Sequence, residues 1–467
     1  MNKKKKLIIE QTFSLAIKNH KKNNFQIAEN LYKEVLKINP NHFESIYYFG
    51  TLLAQSKRFD LAKPLLYKAI TIQPNYVEAH YNLGIVLQKL GEHQKGISSF
   101  EKAIQINPNY VQAHYNLGMA LQELGEHQKA ISSFEKAIQI NPNFAGAYNN
   151  LGMVLQRLGE HQKAISSFEK AIQINPNLAG VYNNLGNIHS ELGQRQKAIS
   201  SFEKAIQINP NYVNAYWNLH SFASDIDEAL TILKKLYKID NKHTKAKIMI
   251  SALQGFKGNF NEFNTLIASS ESNHPYIRSI KWIFSLPKIP EIFFNRWDFF
   301  DAIIAQTDKS RPFYEFGVWK GFSFKHLIKT FKKGFGFDTF TGIPEDWHNE
   351  PSGSYSSFGL VPKIKGGEFI TGKFENTLPK FFSQKRPLAS LINFDADLYS
   401  STLCALNCSN KVIDEKSILI FDEFLTNDNW EKDEYKALNE FCDNLSISYD
   451  VIAVSFYSKQ VAIKLKK

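Results

Sequence analysis

A proline recurs every 34 residues along the first half of the chain, at Pro40, Pro74, Pro108, Pro142, Pro176 and Pro210. Gly50, Gly84, Gly118, Gly152 and Gly186 keep the same interval, and "GEHQKAISSFEKAIQINPN" stands verbatim at 125–143 and again at 159–177. A fixed period of this length demands a stack of like units. One unit cannot bury its apolar face alone, so each must lean on its neighbours.

Each unit reads as two helices. "AHYNLGIVLQKLG" has helical apolar spacing and stops at Gly91. "AISSFEKAIQI" is the second helix, closed by "NPN", and small residues such as Gly84 and Gly96 let the pair approach closely. The pattern resembles the tetratricopeptide repeat. Six units run from about 9 to 212, a shortened seventh follows to about 243, and a degenerate eighth, "ALQGFKGNFNEF", reaches about 270. His220 replaces the expected small residue in the seventh. Tyr81, Ile85, Gln88 and their equivalents line one face of the first helices, which suits a polypeptide in a concave groove. Asn82, Asn116, Asn150, Asn184 and Asn218 recur once per unit. They are similar to the asparagine ladder of O-GlcNAc transferases, and an amide that both donates and accepts suits a peptide backbone. The competing reading is local structural bonding.

The 467 residues allow two or three domains, and 43% hydrophobic with 22% charged content is that of a chain able to bury a sizeable core. Net charge is +11, spread as Lys among Asp and Glu, with no nucleic-acid motif, so no nucleic-acid partner is expected. No apolar run is long enough to span a membrane, and the apolar stretch in "MNKKKKLIIEQTF" is too short for a signal-peptide core. Cys404, Cys408 and Cys442 are few and odd in number, which fits a reducing cytoplasm. Cys404 and Cys408 have no second pair or clustered His, which argues against zinc.

The rules change near residue 290. Short apolar runs alternate with helical ones through "PFYEFGV", "GFGFDTF", "LASLINFDAD" and "SILIFDEF", predicting βαβ units on a parallel sheet. "YDVIAVSF" and "QVAIKLK" follow with only "YSK" between them, so they form an antiparallel hairpin. The predicted division is repeats over 1–270, a proline-rich junction over 271–295 and an α/β domain over 296–467.

Ligands of open parallel sheets sit at the carboxyl ends of the strands. There Glu315 closes the first strand, Gly317 and Gly321 frame the turn, and Ser323 starts a helix. Asp338 ends the second strand at a distance suited to a ribose diol. Asp395, in "NFDADLYSST", ends one later strand and Asp422, in "LIFDEF", ends the next. If those two strands pair, Asp395, Asp422 and Glu423 converge, and a divalent cation such as Mg²⁺ would relieve their repulsion. The bland reading is solvated acids at loop starts.

Residues 296–467 resemble class I S-adenosylmethionine-dependent methyltransferases, whose Rossmann-like sheet carries such a terminal hairpin. "EFGVWKGFS" is similar to the cofactor turn of caffeoyl-CoA O-methyltransferases. "FDADLYSST", "FDEF" and "GFDTFTGIPEDW" are similar to motifs of macrocin-type sugar O-methyltransferases. The resemblance implies that Glu315, Gly317, Gly321 and Ser323 line the methionine end of S-adenosylmethionine and that Asp338 holds the ribose. Asp397 would lie beside the cofactor or behind it. Asp395, Asp422 and Glu423 would hold the metal, with Asp395 also taking the proton of a metal-bound hydroxyl. The acceptor would be a hydroxyl-bearing small molecule or glycan, beneath a loop over 343–365. Caffeoyl-CoA enzymes have Asn where Glu423 stands, which favours the sugar-modifying branch. His348, in that loop, is either a surface residue or an alternative base. The alternatives are a repeat scaffold carrying an inactive methyltransferase fold and, last, a repeat-linked glycosyltransferase.

Overall fold

A computed structural model describes residues 3–466. The chain forms two compact units, Met1–Val181 and Tyr182–Lys467. The first is helical throughout, with paired helices such as Val111–Glu123 with His127–Ile140 and Ala145–Arg157 with His161–Ile174. The pairing depends on bare backbone. A Cβ placed on Gly152 would lie 2.6 Å from the Phe168 ring, and one on Gly118 would lie 2.7 Å from Phe134. In these two pairs the phenylalanine of the second helix fills the space that the glycine of the first leaves open, and Phe134 and Phe168 are fully buried. Gly152→Ala is expected to cost about 1–3 kcal/mol by overpacking, read as a lower urea midpoint. An unchanged midpoint would mean that the ring yields freely.

The second unit starts inside the repeat array. Its seventh repeat is short as expected: Val213–Leu219 spans one helix of seven residues, and a tight turn at His220–Phe222 follows. His220 is buried against Trp217 and Tyr457, with ring centroids 4.6 and 5.7 Å away. Burial pushes its imidazole down to about 4. Helices Ile226–Ile239, Thr244–Phe256 and Asn261–Ile267 complete the degenerate repeats.

Eight strands follow: β1 (Glu291–Phe293), β2 (Phe313–Phe316), β3 (Gly334–Asp338), β4 (Gly367–Thr371), β5 (Leu391–Phe394), β6 (Ile418–Phe421), β7 (Ser448–Ser455) and β8 (Val461–Lys466). They form one sheet in the order β1-β7-β8-β6-β5-β2-β3-β4. All neighbours are parallel except β8, which runs antiparallel to both β6 and β7. The predicted hairpin is therefore present, and the two strands ending near Asp395 and Asp422 are neighbours.

Two expectations change. The segment 271–295 is more than a junction. Pro275 opens the helix Pro275–Ser285, where its missing N–H costs nothing. Glu291–Phe293 then pairs with β7. The boundary expected near 270 also falls inside the second unit, because repeat and sheet residues share one core. Leu233, Ile248, Ile280 and Ile283 are fully buried in the same cluster as Phe421, Phe424 and Val454.

A row of phenylalanines fixes the sheet register at the carboxyl edge of four strands. Phe337 stacks on Phe316 at 5.0 Å, Phe316 on Phe394 at 5.3 Å and Phe394 on Phe421 at 4.8 Å, with near-parallel rings. Cross-strand aromatic pairs of this kind stabilise one register over a slipped one. The residues that follow these four rings are Asp338, Gly317, Asp395 and Asp422. The ladder therefore sets all four at one level.

Candidate functional site

The chain leaves β2 for β3 and β4 on one side and returns to β5 on the other. This reversal opens a crevice at the carboxyl ends of β2 and β5. Gly317 occupies its throat at φ +90°, and a Cβ there would lie 1.7 Å from the Asp395 carbonyl oxygen. Only glycine fits. Asp395 N–H donates to the Phe316 carbonyl at 2.8 Å, closing the two strand ends together.

Below the turn, Glu315 is fully buried. Its Oε1 accepts from Asn393 Nδ2 at 2.9 Å, and Oε2 has no partner. Burial pushes the Glu315 carboxyl up to about 8, against the neighbouring polar groups of Ser323 and Asn393, which favour its charged form. Asn393 was not singled out from sequence, although a lone amide inside the apolar run "LINF" was a visible signal. Ser323 is buried, one residue into the helix Phe322–Phe331, which Gly321 precedes in the left-handed region. Asp338 serves the turn itself. Its Oδ2 accepts from Val318 N–H and Trp319 N–H, both at 2.7 Å, and its Oδ1 from Phe340 N–H at 2.6 Å. Thr339 Oγ1 also donates to Oδ1 at 3.5 Å. A carboxylate offers about four acceptor positions, so the ribose role expected of Asp338 requires one of these contacts to give way. The loop expected over the substrate lies on this turn: Ile364 Cδ1 comes within 3.0 Å of a Cβ placed on Gly321.

The acids on the β5 and β6 side have acquired protein partners. Asp422 is buried, accepts from Gln460 Nε2 at 2.5 Å, and pairs with Arg296. Glu423 Oε2 meets Lys459 Nζ at 2.7 Å and Asn427 Nδ2 at 2.9 Å. Burial opposes the charge on Arg296, but Asp422, Asp395, Glu423 and Glu315 outweigh it and hold the guanidinium charged. Burial and then Asp422 raise Asp395. Burial and then Glu423 raise Asp397, which places Asp397 with the acids. Glu434, missed from sequence, is fully buried, accepts from Glu423 N–H at 3.2 Å, and leaves Oε1 without a partner. Burial and then Asp397 raise its carboxyl.

Among the described residues, no group of three or more His, Cys, Asp or Glu side chains is placed to hold a metal ion. The expected Mg²⁺ would stand among Asp395, Asp422 and Glu423, where Arg296 already pairs with Asp422 and Lys459 with Glu423. The donor set does not fit a divalent ion in this arrangement.

The asparagine ladder is also modified by its surroundings. Asn82 Nδ2 donates to Tyr47 Oη at 3.1 Å, Asn116 to Tyr81 Oη at 2.7 Å and Asn150 to Tyr115 Oη at 2.9 Å. Each amide ties its own repeat to the preceding one, which is the local structural bonding left open above. In the second unit Asn218 Nδ2 donates to Asn183 and Asn187, while its Oδ1 accepts from Tyr457 Oη at 2.9 Å. Asn218 is therefore closed to a partner by the β7–β8 turn. Asn184 stands at the same repeat position.

The tetratricopeptide repeat profile matches residues 75–143 and 143–211. No curated protein matches the chain. Among solved structures, a MamA protein is 31% identical over 37% of this chain and 94% of its own, with a TM-score of 0.35. YrrB, a TPR protein with an unusual peptide-binding site, is 24% identical over 39% of this chain and 95% of its own, with a TM-score of 0.35. A tetratricopeptide repeat protein from Parabacteroides merdae is 16% identical over 53% of this chain and 99% of its own, with a TM-score of 0.44. Among the described residues, no helix is long and apolar enough to cross a membrane.

Proposed function

We propose that this chain, which belongs to the tetratricopeptide-repeat proteins, transfers a methyl group from S-adenosylmethionine to a hydroxyl, on a small molecule or glycan, and uses its repeats to bind a polypeptide partner. The observation that carries the reading is the levelled edge. Four stacked phenylalanines bring Gly317, Asp338, Asp395 and Asp422 to the point where the strand order reverses. The hairpin that inserts β8 between β6 and β7 supports the same reading.

S-adenosylmethionine supplies a methyl group already activated toward an oxygen nucleophile. The chain's part is to hold and align it. The bare turn from Gly317 to Gly321 lets a ligand approach the backbone closely. Glu315, with its free Oε2, and Ser323 lie beneath that turn to receive a polar end. Asp338 can offer a hydroxyl an acceptor position in place of its long 3.5 Å contact from Thr339. Arg296 and Lys459 fix the acids on the β6 side, so no step is assigned to a metal ion.

The test is calorimetric titration of the full chain with S-adenosylmethionine. Asp338→Ala is expected to weaken binding by roughly 1.5–3 kcal/mol, the size of a charge-assisted hydrogen bond, with loosening of the Val318–Trp319 turn adding to it. Wild-type affinity in a folded Asp338→Ala protein would remove Asp338 from the site. Absence of binding by the intact chain would favour the second reading, a repeat scaffold with an inactive fold. The pairing of Asp422 with Arg296, which neutralises an acid that the resemblance assigns to a metal, speaks for that second reading.

A further inference from the structure

We propose that the acceptor hydroxyl is received in a cavity of about 370 Å³ beside the buried acids, and that His348, oriented by Asp433, takes its proton. The proposal rests on the methyl-transfer reading and names its acceptor site. Three segments from the carboxyl edge wall the cavity. Trp347 and His348 come from the loop after β3, Ser400 from the first turn of the helix Tyr399–Ser409 after β5, and Asp433 from the segment after β6. Two of these walls are continuous with the acid cluster. Leu398, also in the lining, follows Asp397, and Asp433 precedes Glu434. An occupant would therefore lie next to the crevice where the methyl donor is held.

The pair has the geometry of a base and its orienter. His348 Nε2 lies 2.9 Å from Asp433 Oδ2. With Nε2–H donating to the carboxylate, Nδ1 is the basic nitrogen. His348 is held at φ +50°, a conformation a non-glycine residue adopts only under constraint. The constraint is local: Trp347 and Glu350 exchange backbone hydrogen bonds at 2.8 Å each, and the Trp347 and His348 rings lie 4.8 Å apart. Trp347 Nε1–H is buried without a partner, an unsatisfied donor on a residue that lines this open pocket. In the step itself the acceptor oxygen forms a bond to the methyl carbon, and the carbon–sulfur bond breaks with its electron pair going to sulfur. The hydroxyl proton passes to His348 Nδ1 and from there to solvent.

A small polyol is the suitable probe, because the indole face can pack on its C–H face while carboxylates accept from its hydroxyls. Saturation-transfer NMR with methyl α-D-glucopyranoside on the full chain is expected to show binding that Trp347→Ala abolishes. With S-adenosylmethionine present, methylated glucoside should form. Its rate should fall roughly 10²–10⁴-fold in His348→Ala, the usual contribution of a general base, with cofactor affinity unchanged. Asp433→Asn should fall similarly, and Asp433→Glu should recover part of the loss. No glucoside binding, or binding indifferent to Trp347→Ala, overturns the cavity. Bound glucoside that is never methylated, or product formed as fast by His348→Ala, overturns the role of His348. Glucoside binding in a chain that binds no S-adenosylmethionine supports the cavity and sinks the methyl-transfer reading instead.

Discussion

A chain that begins at residue 296 is expected to be insoluble or molten, whereas one spanning 182–467 folds. The cut falls between Asn295 and Arg296, through the tie that seats the sheet on the repeats. Asn295 Nδ2 donates to the Ser221 carbonyl at 3.1 Å, Trp297 Nε1 to the Ser190 carbonyl at 2.7 Å, and Arg195 pairs with Asp298 at 2.6 Å. The cut also strips apolar cover. Trp282 packs on Phe424, Trp430 and Tyr435 with ring centroids under 6 Å apart, and Phe256 packs on Phe456 at 5.9 Å. Loss of β1 bares an edge of β7. Re-exposing each large side chain costs about 1.5–3 kcal/mol. A handful of them matches the whole net stability of a domain, about 5–15 kcal/mol. Far-UV circular dichroism and a urea transition on both fragments decide it. A cooperative transition in the 296–467 fragment would show that the repeats from 182 onward are only attached to the sheet.

That boundary shows where reading the sequence stops. The 34-residue period, the strand ends and the terminal hairpin were legible because each is a local pattern. So was the pairing of β5 with β6, since a single crossover helix, Tyr399–Ser409, joins them. The sharing of one core was not legible. Leu233 and Ile280 carry the same helical spacing whether they face another repeat or a sheet. The counterions were hidden for a related reason. Arg296 lies 126 residues from Asp422 and Lys459 lies 36 residues from Glu423, so acid-ended strands were counted without their cations. One signal was available. Arg296 is the first residue of its helix, where the dipole disfavours a cation, and a basic residue there calls for an acid elsewhere. The asparagine ladder is legible in its spacing, but its partner is not: the tyrosine of the preceding repeat, 35 residues away, accepts one N–H of the Asn116 and Asn150 amides.

The 182–467 unit is expected to gain stability as pH falls from about 8 toward 5, and Glu315→Gln is expected to remove part of that dependence. Glu315 has a folded value of about 8 against an ordinary 4.5, raised first by burial. Between those values the folded state keeps a proton that the unfolded state has released. Its contribution is therefore complete below about 4.5 and lost as pH rises through 8. Asp395, Asp397 and Glu434 are raised in the same direction, each first by burial, and add to the slope. His220 works against them. Its folded value of about 4 lies below the ordinary 6.5, so acid charges it first in the unfolded state and costs stability between those values. His274, also lowered first by burial, acts in the same direction as His220, while Asp433, raised first by burial, joins the carboxyls. The lowered carboxyls Glu228, Asp308 and Asp414 lose stability only below the ordinary carboxylate range, so the slope between about pH 8 and 5 is set by the raised carboxyls against the two imidazoles. Glutamine at 315 still offers Asn393 an oxygen and never ionises. The mutant should match wild type near pH 5 and exceed it above pH 8, by on the order of a few kcal/mol. Urea transitions of both proteins across this range read the difference directly. Parallel curves would mean that Glu315 stays ionised in the fold, and would point to a cation held beneath the β2 turn.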